Sequence, residues 1–185
     1  MIDIFAKTKT PKNKRLEMRT KEVAKLKQFL KADDTYQDLC LEYDQPISII
    51  DGIAVVFSAD LDVTAKTINA KVFLSTALID ERFEIMARYL LHELTHCFQH
   101  MEKEGKKTKK KSKVYLDRPE ELEAFQNQIK FDSENSPEED VGHYVNELLS
   151  YHDIPKEERK ERKKDLMSKI KTPQPKKTLS IKVRD

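Results

Sequence analysis

The chain has 185 residues, of which 38% are hydrophobic and 37% are charged, and its formal net charge is only +2. This composition predicts one compact domain with strongly charged surfaces and extensions. Its three glycines lie far apart in the sequence, which excludes glycine-rich phosphate-binding loops. The sequence has no apolar leader and no run of transmembrane length, so we expect no membrane segment. Its two cysteines show no metal-type spacing and are expected to be free thiols, so we expect the protein to lie in a reducing compartment, the cytoplasm.

The N-terminal part of the chain is predicted to be helical after a short extension over 1–13. Apolar residues at helical spacing predict an amphipathic helix over 14–31, with a basic outer face. A second, shorter helical stretch is predicted over 36–41. The main domain is therefore expected to begin near residue 14.

The middle of the chain is rich in β-branched and aromatic residues, which are typical of strands. Three strands are predicted, over 47–50, 53–59 and 67–75. Asp51 and Gly52 separate the first two strands, and this dipeptide favours a hairpin turn. We therefore expect a small sheet of about three strands, the third of which leads into the next helix.

Helices dominate the remainder of the chain. A long helix is predicted over 81–101, and two others over 119–129 and 138–151. The main domain is expected to extend over 14–154. The remaining segment, 155–185, is predicted to form a charged helix followed by a flexible tail that contains prolines and lysines.

The predicted helix over 81–101 contains the sequence His92-Glu93-Leu94-Thr95-His96. Residues four apart on a helix differ by about 40° around its axis and about 6 Å along it, so His92 and His96 can converge on one metal ion. Glu93 lies about 100° away from His92, which places it beside such an ion as a general base. On a helical wheel the histidines lie opposite the apolar stripe. This arrangement predicts a zinc site in a cleft rather than histidines in the core.

The stretch over 67–129 resembles the minimal arrangement of gluzincin-type zincin metallopeptidases, which contain an HExxH helix. The resemblance implies an α+β fold in which a small sheet packs on the active-site helix, with further helices around it. It also implies a Zn²⁺ cofactor, a second helix whose Glu is the third ligand, and hydrolysis of peptide bonds by a zinc-activated water with Glu93 as general base. A peptide or protein substrate is expected to pair with the strand near 71–75.

The third ligand is expected on the predicted helix over 119–129, where Glu121 and Glu123 are the two candidates. Glu121 lies closer to the apolar stripe of that helix than Glu123 does, and a ligand must face a partly buried site. Glu121 with Ala124 also resembles the Glu-x-x-Ala pattern of several gluzincins. Glu121 is therefore favoured, with Glu123 left open. Neither choice is followed by a carboxylate that would orient a histidine.

The sequence leaves several further features open. Four residues are candidates for stabilising an oxyanion, namely Tyr115, His143, Tyr144 and His152. A lysine-rich segment over 105–113 and the basic tail allow an alternative function, in which a non-catalytic zincin scaffold contacts nucleic acid or a larger assembly. A hydrolase that acts on a non-peptide substrate is a further alternative.

Overall fold

A computed structural model describes residues 12–103, 112, 114–135 and 138–170 of the chain. Within those residues the fold is α+β, with seven helices and one three-stranded sheet, and it confirms the predicted fold class. The helices are α1 (Lys12–Ala32), α2 (Asp34–Glu42), α3 (Ile49–Gly52), α4 (Phe83–Lys103), α5 (Pro119–Asn135), α6 (Glu138–Tyr151) and α7 (Arg159–Leu166), and the strands are β1 (Val55–Ser58), β2 (Ala65–Ile68) and β3 (Lys71–Ser75).

The sheet has the strand order β1-β3-β2. Strand β1 pairs in parallel with β3, with Val56 opposite Phe73, and β2 pairs antiparallel with β3, with Thr67 opposite Val72. Side chains alternate between the two faces of a strand, so the buried Val72 and Leu74 of β3 face the core. Because β3 lies between β1 and β2, both of its edges are occupied.

The segment over 67–75 was predicted to be one strand, and that prediction is wrong because the chain reverses within it. Asn69 and Ala70 have φ angles of 50° and 54°, which are the left-handed values of a two-residue hairpin turn between β2 and β3. An Asn-Gly pair would have indicated this turn, whereas an alanine in the second position does not. The hairpin therefore lies inside the predicted third strand rather than at Asp51 and Gly52.

Substitution of Ala70 by glycine should stabilise the protein. A left-handed conformation costs an L-residue about 1–2 kcal/mol, and glycine avoids this cost while losing about 0.5–1 kcal/mol of chain entropy. We expect Ala70→Gly to raise the free energy of unfolding by about 0.5–1 kcal/mol in urea denaturation. Asn69→Gly is the matched control and should gain less, because asparagine tolerates this conformation. An Ala70→Gly protein less stable than the parent would contradict the turn.

The predicted strand over 47–50 is also wrong, since this segment forms a turn that leads into α3. Lys27 of α1 donates hydrogen bonds to the carbonyl oxygens of Asp51 and Ile53, and Lys31 pairs with the Asp51 carboxylate at 3.1 Å. Ile50 is fully buried in the core. A short apolar run does not distinguish strand from helix by itself, and here contacts with α1 decide the conformation.

Helices α4, α5 and α6 agree with the predicted ones except at their ends. The largest difference is in α5, which continues to Asn135 instead of ending near 129. Phe131 is fully buried, and Asp132 forms an ion pair with Arg88 of α4 at 2.7 Å, so the residues beyond 129 pack against α4. Tertiary contacts thus extend the helix through a segment whose local sequence is polar.

Two hydrophobic clusters hold the domain together. The larger lies between α1, α2, the sheet and α4, and includes Leu30, Leu74 and Leu90. The smaller lies between α5, α6 and the segment around α7, and includes Val145 and Leu166. Burial of these apolar side chains is the main favourable contribution to folding. Helices α4 and α5 pack against each other between the clusters, and this contact positions the residues of the candidate site.

Some predicted segments lie outside the described residues. These are the N-terminal residues 1–11, the lysine-rich segment over 105–113 apart from Ser112, and the tail over 171–185. The charged helix predicted after 155 is present as α7, and Leu166 at its end is buried. None of the described helices is both long enough and apolar enough to cross a membrane.

Candidate metal centre

Helix α4 and helix α5 bring three potential metal ligands together. His92 and His96 lie one turn apart on α4, and the Nε2 atoms of both point toward Glu121 on α5. Glu121 Oε2 lies 3.9 Å from His92 Nε2 and 3.2 Å from His96 Nε2. One ligand atom from each residue can be chosen such that all three lie within 4.8 Å of one another. The three residues therefore surround one point between the two helices.

The donor set fits a zinc ion. Two imidazoles and a carboxylate are one of the ligand sets of catalytic zinc, and ligands at 2.0–2.2 Å in a tetrahedron lie about 3.3–3.5 Å apart. The distance from Glu121 Oε2 is 3.2 Å for His96 Nε2 and 3.9 Å for His92 Nε2, so the His92 ring would have to move closer to the other two ligands. Glu121 Oε2 is buried and faces the Nε2 atoms of both imidazoles. A buried carboxylate is costly without positive charge beside it, and a cation held by the three residues would remove that cost.

The pKa values of the three residues are shifted in different directions. Burial and the neighbouring His96 lower the pKa of His92 to about 3, so His92 is neutral as a metal ligand must be. Burial would also lower the pKa of His96, but the carboxylate of Glu121 outweighs it and raises that pKa. Burial would raise the pKa of Glu121, and the neighbouring His96 and Tyr115 lower it instead. Glu121 is therefore a carboxylate that attracts positive charge to this site.

Glu93 lies next to these ligands and is almost completely buried. Its Oε2 accepts a hydrogen bond from the Thr67 hydroxyl at 2.8 Å, so strand β2 holds the carboxylate in place. Burial raises the pKa of Glu93 and the Thr67 hydrogen bond only partly offsets this. A carboxylate with a raised pKa beside a metal site has the properties of a general base.

Both histidines are oriented by glutamines that the sequence analysis did not identify. Gln128 Oε1 lies 2.9 Å from His92 Nδ1, and Gln99 Oε1 lies 2.9 Å from His96 Nδ1. Metal-bound histidines usually have such a partner on the second ring nitrogen. The signal in the sequence was helical spacing, since Gln99 follows His96 by three residues and Gln128 follows Glu121 by seven. A carboxylate is the more usual partner, and both of these side chains are amides instead.

Glu123, the other candidate for third ligand, faces away from the two histidine Nε2 atoms. Its carboxylate accepts hydrogen bonds from Gln99 Nε2 at 3.0 Å and from the Tyr43 hydroxyl at 2.7 Å. Both carboxylate oxygens are thus used. The structure therefore brings Glu121, and not Glu123, to the two histidines.

A cavity of about 1000 Å³ opens beside the histidines, and His92 and Glu93 both line it. Three of the four oxyanion candidates, Tyr115, Tyr144 and His152, also line it, and the ring of Tyr115 stacks on that of His152 at 4.9 Å. The fourth, His143, is exposed and pairs with Glu147 at 3.2 Å. A molecule in the cavity would therefore contact aromatic side chains together with Glu93.

The expected pairing of a substrate with the strand over 71–75 is wrong, because β3 is central. Strand β2 instead has an edge that pairs with no other described strand. Ser75 donates a backbone hydrogen bond to Thr64, and bonding directions alternate along an antiparallel pair. Ala65 and Thr67 therefore direct their backbone N–H and C=O groups toward the open edge. This edge lies beside Glu93, which Thr67 contacts.

Comparison of the chain with protein-family models, with curated proteins and with solved structures finds no match.

Proposed function

We propose that the protein is a zinc-dependent metallopeptidase of the zincin type. The observation that carries the proposal is the convergence of His92, His96 and Glu121 on one point, with the buried Glu121 Oε2 facing the Nε2 atoms of both imidazoles. Glu93 supports catalysis rather than a structural metal, because a structural site has no use for a buried carboxylate next to its ligands. His92, His96 and Glu121 would hold the zinc ion.

A bound zinc ion would supply a Lewis acid that activates water and polarises the carbonyl to be attacked. Glu93 then accepts a proton from the attacking water and returns it to the leaving nitrogen. The Thr67 hydroxyl holds Glu93 in position through the 2.8 Å hydrogen bond. The raised pKa of Glu93, which follows from its burial, makes the carboxylate a stronger base than an exposed one.

A peptide suits the surfaces beside the site. Strand β2 offers the backbone groups of Ala65 and Thr67 along an open edge, and an extended peptide can add to such an edge. Apolar and aromatic residues including Phe125, Tyr144 and Leu148 line the adjacent cavity and would receive an apolar side chain. We therefore expect strand β2 to hold the substrate backbone.

We also propose that the protein lies in a reducing compartment such as the cytoplasm. Cys40 and Cys97 are both free and buried. Burial raises the pKa of Cys97 to about 11, which keeps its thiol protonated and unreactive at neutral pH. Such thiols are usual in proteins that do not rely on disulfides.

The direct test is zinc-dependent cleavage of a mixed peptide library. Metal-free protein should cleave no peptide, the addition of one equivalent of zinc should produce cleavage, and a chelator should reverse it. Mass spectrometry of the products identifies the cleaved bonds, and magnesium in place of zinc is the control. Zinc binding without cleavage of any peptide would favour the non-catalytic scaffold or a non-peptide substrate instead.

A further inference from the structure

The Gln99 side chain is the centre of a partly buried chain of hydrogen bonds. Gln99 is 5% exposed, and its Oε1 lies 2.9 Å from His96 Nδ1. Its Nε2 donates to the backbone oxygen of Glu120 at 2.9 Å and to Glu123 Oε2 at 3.0 Å. Glu123 Oε1 in turn accepts from the Tyr43 hydroxyl at 2.7 Å. Helices α4 and α5 and the residue that directly follows α2 all contribute to the chain.

The partners of Gln99 allow only one orientation of its amide. A backbone carbonyl and a carboxylate can accept hydrogen bonds but cannot donate them, so the NH₂ group must face Glu120 and Glu123. The amide oxygen then faces His96, and His96 Nδ1 must carry a proton to donate to it. With the ring proton fixed on Nδ1, the lone pair of a neutral His96 lies on Nε2, which faces Glu121.

The partner of the other histidine lacks this constraint. Gln128 also contacts its histidine through Oε1, but Gln128 Nε2 is buried and has no hydrogen-bond partner among the described residues. No acceptor in that part of the chain therefore fixes the direction of the Gln128 amide, and either of its ends can face His92 Nδ1. The two histidines thus differ, because described residues set the proton position of His96 but not that of His92.

We propose that Glu123 and Gln99 are positioning residues that prepare His96 for metal binding, with Glu123 acting through the Gln99 amide. Glu123 and the Glu120 carbonyl together fix the amide, the amide fixes the proton on Nδ1, and this leaves Nε2 free for the ion. The inference rests on the proposed function, since it takes His96 as a zinc ligand. It gives Glu123 a role that differs from coordination of the metal.

The affinity of metal-free protein for zinc, measured by competition with a chromophoric chelator, tests the inference. Gln99→Met removes the acceptor and should weaken zinc binding by about 10–100-fold. Glu123→Leu removes one of the two acceptors that fix the amide, leaves only the Glu120 carbonyl, and should weaken binding by about 10-fold. Glu123→Gln still offers an oxygen to Gln99 and should stay within about 3-fold. Glu120→Gln is the matched control, because only the backbone of Glu120 contacts Gln99, and its affinity should not change.

Long-range ¹H–¹⁵N spectra of the zinc-bound proteins provide a second measurement, which a purely structural role would not affect. The parent and Glu123→Gln should show a slowly exchanging proton on His96 Nδ1. That proton should exchange faster in Gln99→Met and Glu123→Leu, whereas the signals of the His92 ring stay in place. Thermal melting of each metal-free variant separates a loss of folding from a loss of affinity.

The possible failures are distinguishable. A parent protein that binds no zinc overturns the proposed function and this inference together. A parent that binds zinc, with Glu123→Leu and Gln99→Met as tight as Glu120→Gln, overturns only the positioning role. If Glu123→Leu does not fold, Gln99→Met decides the question by itself, and an affinity equal to that of the control overturns the inference.

Discussion

The purified protein should contain one zinc ion per chain, and His92→Ala and His96→Ala should each remove it. Both imidazoles point their Nε2 atoms toward Glu121, so the loss of either leaves two ligands where a zinc site needs at least three. The affinity should fall by more than the roughly 10–100-fold that the loss of a supporting contact costs. Mass spectrometry for metal content and chelator competition for affinity provide the measurements.

The matched control for the histidine variants is His100→Ala. His100 lies on the same helix, four residues after His96, and its side chain is exposed. This variant removes an equivalent imidazole and should retain one zinc ion with unchanged affinity. A parent protein that takes up no zinc even when zinc is supplied would rule out the metal centre. Equal losses in the His100 and His92 variants would instead show that zinc binds at the surface of the helix.

The carboxylate ligand can be tested with an isosteric pair of variants. Glu121→Gln removes the charge that faces the histidines and should release the zinc, whereas Glu123→Gln should retain it. The reason is that Glu121 Oε2 lies 3.9 Å and 3.2 Å from the Nε2 atoms of His92 and His96, while both oxygens of Glu123 are used by Tyr43 and Gln99. The reverse result, with zinc lost only from the Glu123 variant, would require α5 to be rotated about its axis relative to α4.

Most of the candidate site could be predicted from the sequence because it depends on local helix geometry. The spacing of His92, Glu93 and His96 determines their relative directions once α4 is helical. The preference for Glu121 over Glu123 rests mainly on the helical period, supported by the Glu-x-x-Ala resemblance, and it agrees with the faces that the two residues occupy in the structure. Neither inference required knowledge of how α4 and α5 pack.

The sheet could be predicted less well because its boundaries depend on contacts distant in sequence. The conformation of 47–50 is decided by Lys27 and Lys31 of α1, which hold the backbone around Asp51. The division of 67–75 into two strands depends on left-handed values at Asn69 and Ala70, and alanine rarely adopts them. As a result, the open edge of the sheet belongs to β2, beside Glu93, and not to β3.

The glutamines that contact the histidines were missed for a different reason. A carboxylate was expected to orient the ligands, and neither Glu121 nor Glu123 is followed by one at the usual spacing. Gln99 lies within one turn of His96, but its role depends on Glu120 and Glu123 across the helix interface. A local pattern cannot show which end of an amide faces a histidine, whereas the full set of its acceptors can.

Glu93→Gln should abolish peptide cleavage while leaving zinc binding intact. The amide keeps the size of the side chain and can still contact Thr67, but it cannot accept the proton of the attacking water. Loss of a general base typically costs about 10²–10⁴-fold in rate. The rate of library cleavage and the zinc content, measured on the same preparation, test both halves. Full activity in this variant would remove Glu93 from the mechanism.

The same variant should also make the metal-free protein more stable at neutral pH. Burial raises the pKa of Glu93 in the folded state, so its contribution to stability is present below the ordinary carboxyl pKa and is lost as the pH rises through the raised value. Glutamine does not ionise and avoids this loss. We expect the melting temperature of Glu93→Gln to exceed that of the parent at pH 7.5, with the difference closing near pH 4.

The control for the stability measurement is Glu81→Gln, which changes an exposed carboxyl group that lines the same cavity. Its melting temperature should follow that of the parent at both pH values, because an exposed carboxylate loses little hydration on folding. A Glu93→Gln protein that is less stable than the parent at pH 7.5 would show that the Thr67 contact with the carboxylate outweighs burial. In that case Glu93 would be a structural anchor for β2, and the general base would have to be sought elsewhere in the cavity.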